Sequence, residues 1–158
     1  MGLLKFSQIE LFDAKLPKLE PGKFTLTIDK VMQKQTRDYG TACIVEVTVD
    51  SSDNTENPVG TKASWFQPEQ AKLDYGKRRI KSFLLSTLGV TTSNAEAVAK
   101  IEKQKVTVKM DDGTSSEEDA LDALYFEAYS KGVLNGKKIK ATVEKNKNGF
   151  NELTFSPV

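Results

Sequence analysis

The sequence predicts a mainly β domain with helices: three strands, a helix, an acidic helical insertion, and a closing two-stranded hairpin. Three observations predict it. Apolar and polar residues alternate with period two from Phe24 to Val49, on both sides of the turn Arg37-Asp38-Tyr39-Gly40. Helical spacing of apolar residues follows Gly76, and period two returns from Lys138 to Phe155 across Asn148-Gly149.

Residues 1–20 show no sustained alternation and are interrupted by Pro17, with Pro21 just beyond, so they read as a strap packing through Leu3, Phe6, Leu11 and Phe12. A strand starts at Pro21-Gly22, with Phe24, Leu26 and Ile28 against Lys23, Thr25, Thr27 and Asp29. The next, Thr41 to Val49, puts Cys43, Val45, Val47 and Val49 on one face, with Ile44 as the exception. Residues 51–58 form a polar loop, and a third strand runs from Thr61 to Phe66. Ile80, Phe83, Leu84 and Leu88 mark a helix over 77–88 that Gly89 stops. A short helix over 94–104, capped by Ser93 or Asn94, precedes a brief strand at 106–110. Ser115 or Ser116, with Glu118 or Asp119 three residues on, fits a capping box or a near variant and starts a helix through Leu121, Leu124, Tyr125 and Ala128. In the final hairpin Ile139, Ala141, Val143, Leu153 and Phe155 share one face, which leaves Lys138, Lys140 and Phe150 on the other.

Five strands with a helix between the third and fourth is the element order of the OB-fold, a small, partly open Greek-key barrel. The domain then spans 21–158, with the strap at 1–20 and the insertion at about 111–132.

Composition narrows the function. The 158 residues fit one domain with a real core. No run of eighteen apolar residues and no signal-peptide pattern occurs, so a cytoplasmic location, host cytoplasm if the source is viral, and no membrane contact are expected. The chain has no histidine and a single cysteine, Cys43, which rules out Ser–His and Cys–His catalysis, a zinc cage and an internal disulfide. Asp111-Asp112-Gly113 lacks the spacing of a calcium loop, and Gly76-Lys77 and Gly136-Lys137 lack P-loop context. Neither an enzyme, a cofactor nor a metal is expected. Net charge is only +1, but it is segregated: residues 111–127 hold seven acids and no base, and residues 131–147 hold six lysines against Glu144.

Binding single strands without sequence choice needs cations along a groove and aromatic faces for stacking. Lys138, Lys140 and Phe150 supply these on the last hairpin, with Lys145 and Lys147 in its loop. Trp65 and Phe66 are adjacent on the third strand, so one points to the core and the other outward. Arg37 and Tyr39 sit at the first hairpin turn, where OB-folds often touch their ligand. Lys77, Arg78 and Arg79, with Lys81, form either a phosphate track or the solvated face of an amphipathic helix.

Several stretches together carry a family resemblance. They are Pro21-Gly22-Lys23-Phe24-Thr25-Leu26-Thr27-Ile28, the Gly60 to Phe66 strand, Ile80-Lys81-Ser82-Phe83-Leu84 through Leu88-Gly89, Leu134-Asn135-Gly136-Lys137-Lys138-Ile139, and Asn148-Gly149-Phe150-Asn151-Glu152. The arrangement, over about residues 21–156, resembles bacteriophage single-stranded DNA-binding proteins of the OB-fold type. The chain departs from that pattern by ending Phe155-Ser156-Pro157-Val158 rather than in an acidic tail, and by its acidic helix at 115–130. The resemblance implies non-specific single-stranded DNA binding in phage DNA replication or recombination. Single-stranded DNA is the expected partner, with phage or host replication and recombination proteins and a homo-oligomer as further candidates. The alternative is an OB-like structural or protein-interaction module contacting its partner through the acidic helix.

Overall fold

A computed structural model describes residues 16–37, 40–69 and 74–158. Leu3, Phe6, Leu11 and Phe12 of the expected strap lie outside these residues, as does Tyr39. The chain order is β1 (Gly22–Thr36), β2 (Gly40–Ser52), β3 (Lys62–Pro68), α1 (Tyr75–Thr87), α2 (Ala95–Glu102), β4 (Lys105–Lys109), β5 (Ser115–Asp119), α3 (Ala120–Lys131), β6 (Lys138–Lys145) and β7 (Asn151–Ser156).

Five strands form one antiparallel sheet in the order β3-β2-β1-β6-β7, and β4 and β5 form a separate ribbon. β6 returns after a long excursion to lie beside β1, which is Greek-key order. The alternation seen in sequence decides the faces. Phe24, Leu26, Ile28, Val45, Val47, Val49, Ile139, Ala141, Val143 and Phe155 all point into one core.

Of the expected five-stranded, partly open Greek-key barrel, the sheet shows the strands but no closure, because among the described residues β3 and β7 share no ladder. Three rings hold the two ends of the sheet together instead. Trp65 of β3 meets Phe155 of β7 edge-on at 4.9 Å between centroids, and Phe83 of α1 lies 5.9 Å from Trp65 and 5.0 Å from Phe155. The helix fits because its first turn carries Gly76, where a Cβ would lie 1.9 Å from the Pro68 carbonyl at the end of β3. At the other side Arg79 donates to the Leu153 carbonyl on the edge of β7. The outer edge of β3 is covered at Ser64, whose N–H donates to the Pro17 carbonyl at 3.0 Å. Both edges are thereby blunted against stray strand pairing.

The acidic helix expected over 115–130 is half strand. Ser115–Asp119 pairs with Lys105–Lys109, and the helix begins only at Ala120. One pair of opposite charges supports the pairing, with Lys105 Nζ on the Asp119 carboxylate directly across the ladder. No capping box forms, since the Asp119 side chain makes no cap hydrogen bond. α3 packs on the same face of the large sheet as α1, through Ala128 with Leu121, Leu124, Tyr125 and Tyr129.

Truncating the central ring tests this closure. Phe83→Ala is expected to lower unfolding free energy by about 3–5 kcal/mol in a denaturant titration followed by circular dichroism, as large-to-small changes at fully buried rings do. A loss under about 1 kcal/mol would contradict the ring closure.

Candidate nucleic-acid interface

With α1 and α3 packed on one face of the sheet, the polar side chains of β1, β2, β3 and β6 collect on the other. Register places Lys140 between Thr25 of β1 and Ser156 of β7, Lys138 beside Thr27, and Lys62 of β3 beside Thr48 of β2. Two irregularities in the β1–β2 ladder add carboxylates. Asp50 is the extra residue on β2 between the pairs Thr25–Ser51 and Leu26–Val49, and Asp29 is the extra residue on β1 between Ile28–Val47 and Lys30–Glu46. Each bulge builds the same small cluster. Thr27 Oγ1 donates to Asp50 Oδ2 at 2.6 Å, and Lys138 Nζ reaches that oxygen at 2.9 Å. Thr48 Oγ1 donates to Asp29 Oδ2 at 2.6 Å, and Lys62 Nζ lies 3.6 Å from it. The Thr27 hydrogen bond above all, and then Lys138, hold the Asp50 carboxyl below its ordinary range.

At one end of this face the β6–β7 connection is a five-residue turn, Asn146 to Phe150, rather than a bare Asn-Gly pair. Asn146 organises it: its side-chain oxygen accepts from the N–H groups of Asn148 (2.9 Å) and Phe150 (3.1 Å), and Gly149 takes φ +81°. Phe150 therefore stands in the turn, not in a strand, and its ring is 69% exposed. Lys145 ends β6 and Lys147 lies within the turn, and neither they nor Lys140 make an ion pair among the described residues.

The other residues singled out in sequence distribute differently. Trp65 is the core member of its pair, 9% exposed and held by Phe83 and Phe155, so it cannot stack on a base; Phe66 is the one facing outward, half-buried beside Ile44. Arg79 is a structural clamp: besides the Leu153 carbonyl it meets Glu152 at 3.8 Å, and its guanidinium lies 5.5 Å over the Tyr75 ring. Lys77 and Arg78 are exposed on α1, on the opposite side of the sheet from Lys138 and Lys140. Arg37 is exposed at the far end of β1 from the Phe150 turn. Sequence reasoning missed Lys62, Asp29 and Asp50. The signal was there as a phase slip: apolar positions run 24, 26, 28 and then 31, so one residue of β1 had to bulge.

A concavity of about 440 Å³ lies between α1, α2 and α3, with Ile80, Leu84 and Ile101 as apolar lining and Lys77, Glu102 and Asp122 among its polar residues. Near it the buried Cys43 thiol meets Tyr125, whose hydroxyl donates to Glu69 Oε2 at 2.8 Å; Gln33 Nε2 donates to the same oxygen at 2.6 Å. Burial pushes the Tyr125 phenol up, with Cys43 and Glu69 adding to it. No helix among the described residues is long and apolar enough to cross a membrane. Neither protein-family models nor curated proteins give a match to this chain.

Burial raises the Cys43 thiol from 9.0 to about 12, outweighing the Tyr125 hydrogen bond that lowers it. The folded protein should therefore resist an aromatic disulfide reagent at about pH 8, since only the thiolate reacts, and become reactive on unfolding. The thiol's contribution to stability is complete below pH 9 and is lost as pH rises towards 12, because there the unfolded chain ionises first. Rapid labelling of native protein would contradict this placement.

Proposed function

We propose that the protein binds single-stranded DNA without sequence preference, as an open OB-type domain acting in phage replication or recombination. The observation that carries this reading is the exposed Phe150 in the β6–β7 turn, which also carries Lys147 and follows Lys145 at the end of β6, two lysines with no ion-pair partner among the described residues. An exposed ring can stack on any base, and ammonium groups of the same turn can take neighbouring phosphates. Lys140 continues the positive charge onto the sheet. The strand order β3-β2-β1-β6-β7, with a helix between the third and fourth strands of the large sheet, supports the OB-type reading, with Phe83 taking the place of a β3–β7 ladder.

A second reading, a protein-interaction module, draws on the groove between the helices, whose apolar lining and mixed charges could take a peptide. Its contact would then run along α3 and the groove rather than along an acidic helix starting at Ser115.

Anisotropy of a fluorescent oligo-dT separates the two readings. Affinity should fall with salt at a log-log slope of about −0.7 per phosphate engaged, and an equal-length duplex should bind more weakly. Phe150→Ala should weaken binding by about 1–3 kcal/mol, the value of one stack, while stability stays within about 0.5 kcal/mol of wild type. The triple change Lys140→Ala, Lys145→Ala, Lys147→Ala should flatten the slope by about 2, from three phosphates at about 0.7 each. Salt-independent binding, or none, would sink the single-strand reading.

A further inference from the structure

The geometry points to a binding track longer than the hairpin tip: we propose that Lys138 and Lys62 are phosphate-binding residues whose sites are occupied, in the free protein, by Asp50 and Asp29. The inference rests on the single-strand reading and extends its site across the outer face. In each bulge one carboxylate oxygen receives a threonine hydroxyl and faces a lysine ammonium, at 2.6 and 2.9 Å for Asp50 and at 2.6 and 3.6 Å for Asp29. A phosphate oxygen can take the ammonium in place of the carboxylate oxygen. The two clusters mirror each other about the register pair Thr27–Thr48, one opening towards β6 and the other towards β3. Lys138, Thr27, Thr48 and Lys62 thus form a row across four strands, and Lys138 continues through Lys140 towards the tip.

A purely structural role explains the bulges less well. Both ion pairs are open to solvent, with the lysine side chains 57% and 64% exposed, so they contribute little to folding and exchange readily. Yet the ladder is broken twice to present them. As the strand docks, each ammonium passes from its carboxylate to a phosphate, while the threonine hydroxyl remains on the aspartate. The carboxylates then act as internal competitors: they lower affinity and the charge of the empty face.

The test uses the full chain and oligo-dT at low salt, with Asp50→Asn, Asp29→Asn and their combination. Asparagine keeps an acceptor for Thr27 or Thr48, so the fold should hold, which a thermal melt checks. Each single variant should bind dT about three- to tenfold more tightly with the salt slope close to that of wild type, because the same lysine meets the same phosphate in either complex. Lys138→Ala and Lys62→Ala should each weaken binding and flatten the slope by about 0.7, the value of one phosphate. An independent readout is the Asp50 side-chain carboxyl carbon shift, whose titration midpoint should rise in the complex as Lys138 leaves it. If Asp50→Asn and Asp29→Asn bind no more tightly than wild type, and Lys138→Ala and Lys62→Ala leave the slope unchanged while the Lys140, Lys145 and Lys147 variant is weakened, the track is overturned and the tip alone binds. If wild type binds no dT at low salt, the track falls together with the single-strand reading.

Discussion

Everything in this fold depends on the packing of Phe83 between Trp65 and Phe155. Five curled strands leave two open edges, and hydrogen bonding between them would close a barrel. Here a helix fills the opening instead, fixed by a glycine against the Pro68 carbonyl, a ring in the middle and an arginine on the Leu153 carbonyl. Each contact is local, but together they commit the apolar face of the sheet to helices. The hydrophobic burial of Phe83, which is fully inaccessible, is the largest single part of that commitment.

That commitment has a consequence on the far side. The polar positions of β1 and β6 are the alternates of the core positions, so once Leu26 and Ile139 are buried, Thr27 and Lys138 must point away from α1. The bulges then place Asp29 and Asp50 next to them without disturbing the core register on either side. A long side chain reaching from a helix to a strand edge can also be recruited for structure: Arg79, with its planar fork, is better suited than a lysine to bridge a carbonyl, a carboxylate and a ring at once.

Much of this was legible in the sequence. Period two gave β1, β2, β6 and β7 and the residues of their inner face, and Asn94 was visible as a cap, its side chain accepting from Ala97 N–H at 3.1 Å. The exposed Lys138 and Lys140 of the last hairpin were legible for the same reason; Phe150 is exposed too, but as a turn residue held by Asn146 rather than through strand alternation. What failed was context. Ser115 to Asp119 carries a helix-start pattern, but the complementary strand Lys105–Lys109 lies within a hairpin's reach and wins. Trp65 and Phe66 could not be ranked, because strand alternation divides a pair without saying which face has a helix on it. Arg79 read as one of four basic residues on a helix, and nothing in spacing tells a solvated guanidinium from one lying on a strand edge.

The measurement that bears most directly on this division of faces is backbone amide chemical-shift mapping of the protein titrated with oligo-dT. Changes should concentrate at Thr25, Thr27, residues 138–142 and the stretch from Lys145 to Phe150, with Phe83 and the Trp65 indole undisturbed. Changes concentrated instead at Lys77, Lys81, Ile101 and Asp122, the groove between the helices, would contradict it: the ligand would then sit on the helical side, and the lysine face would be plain solvated surface.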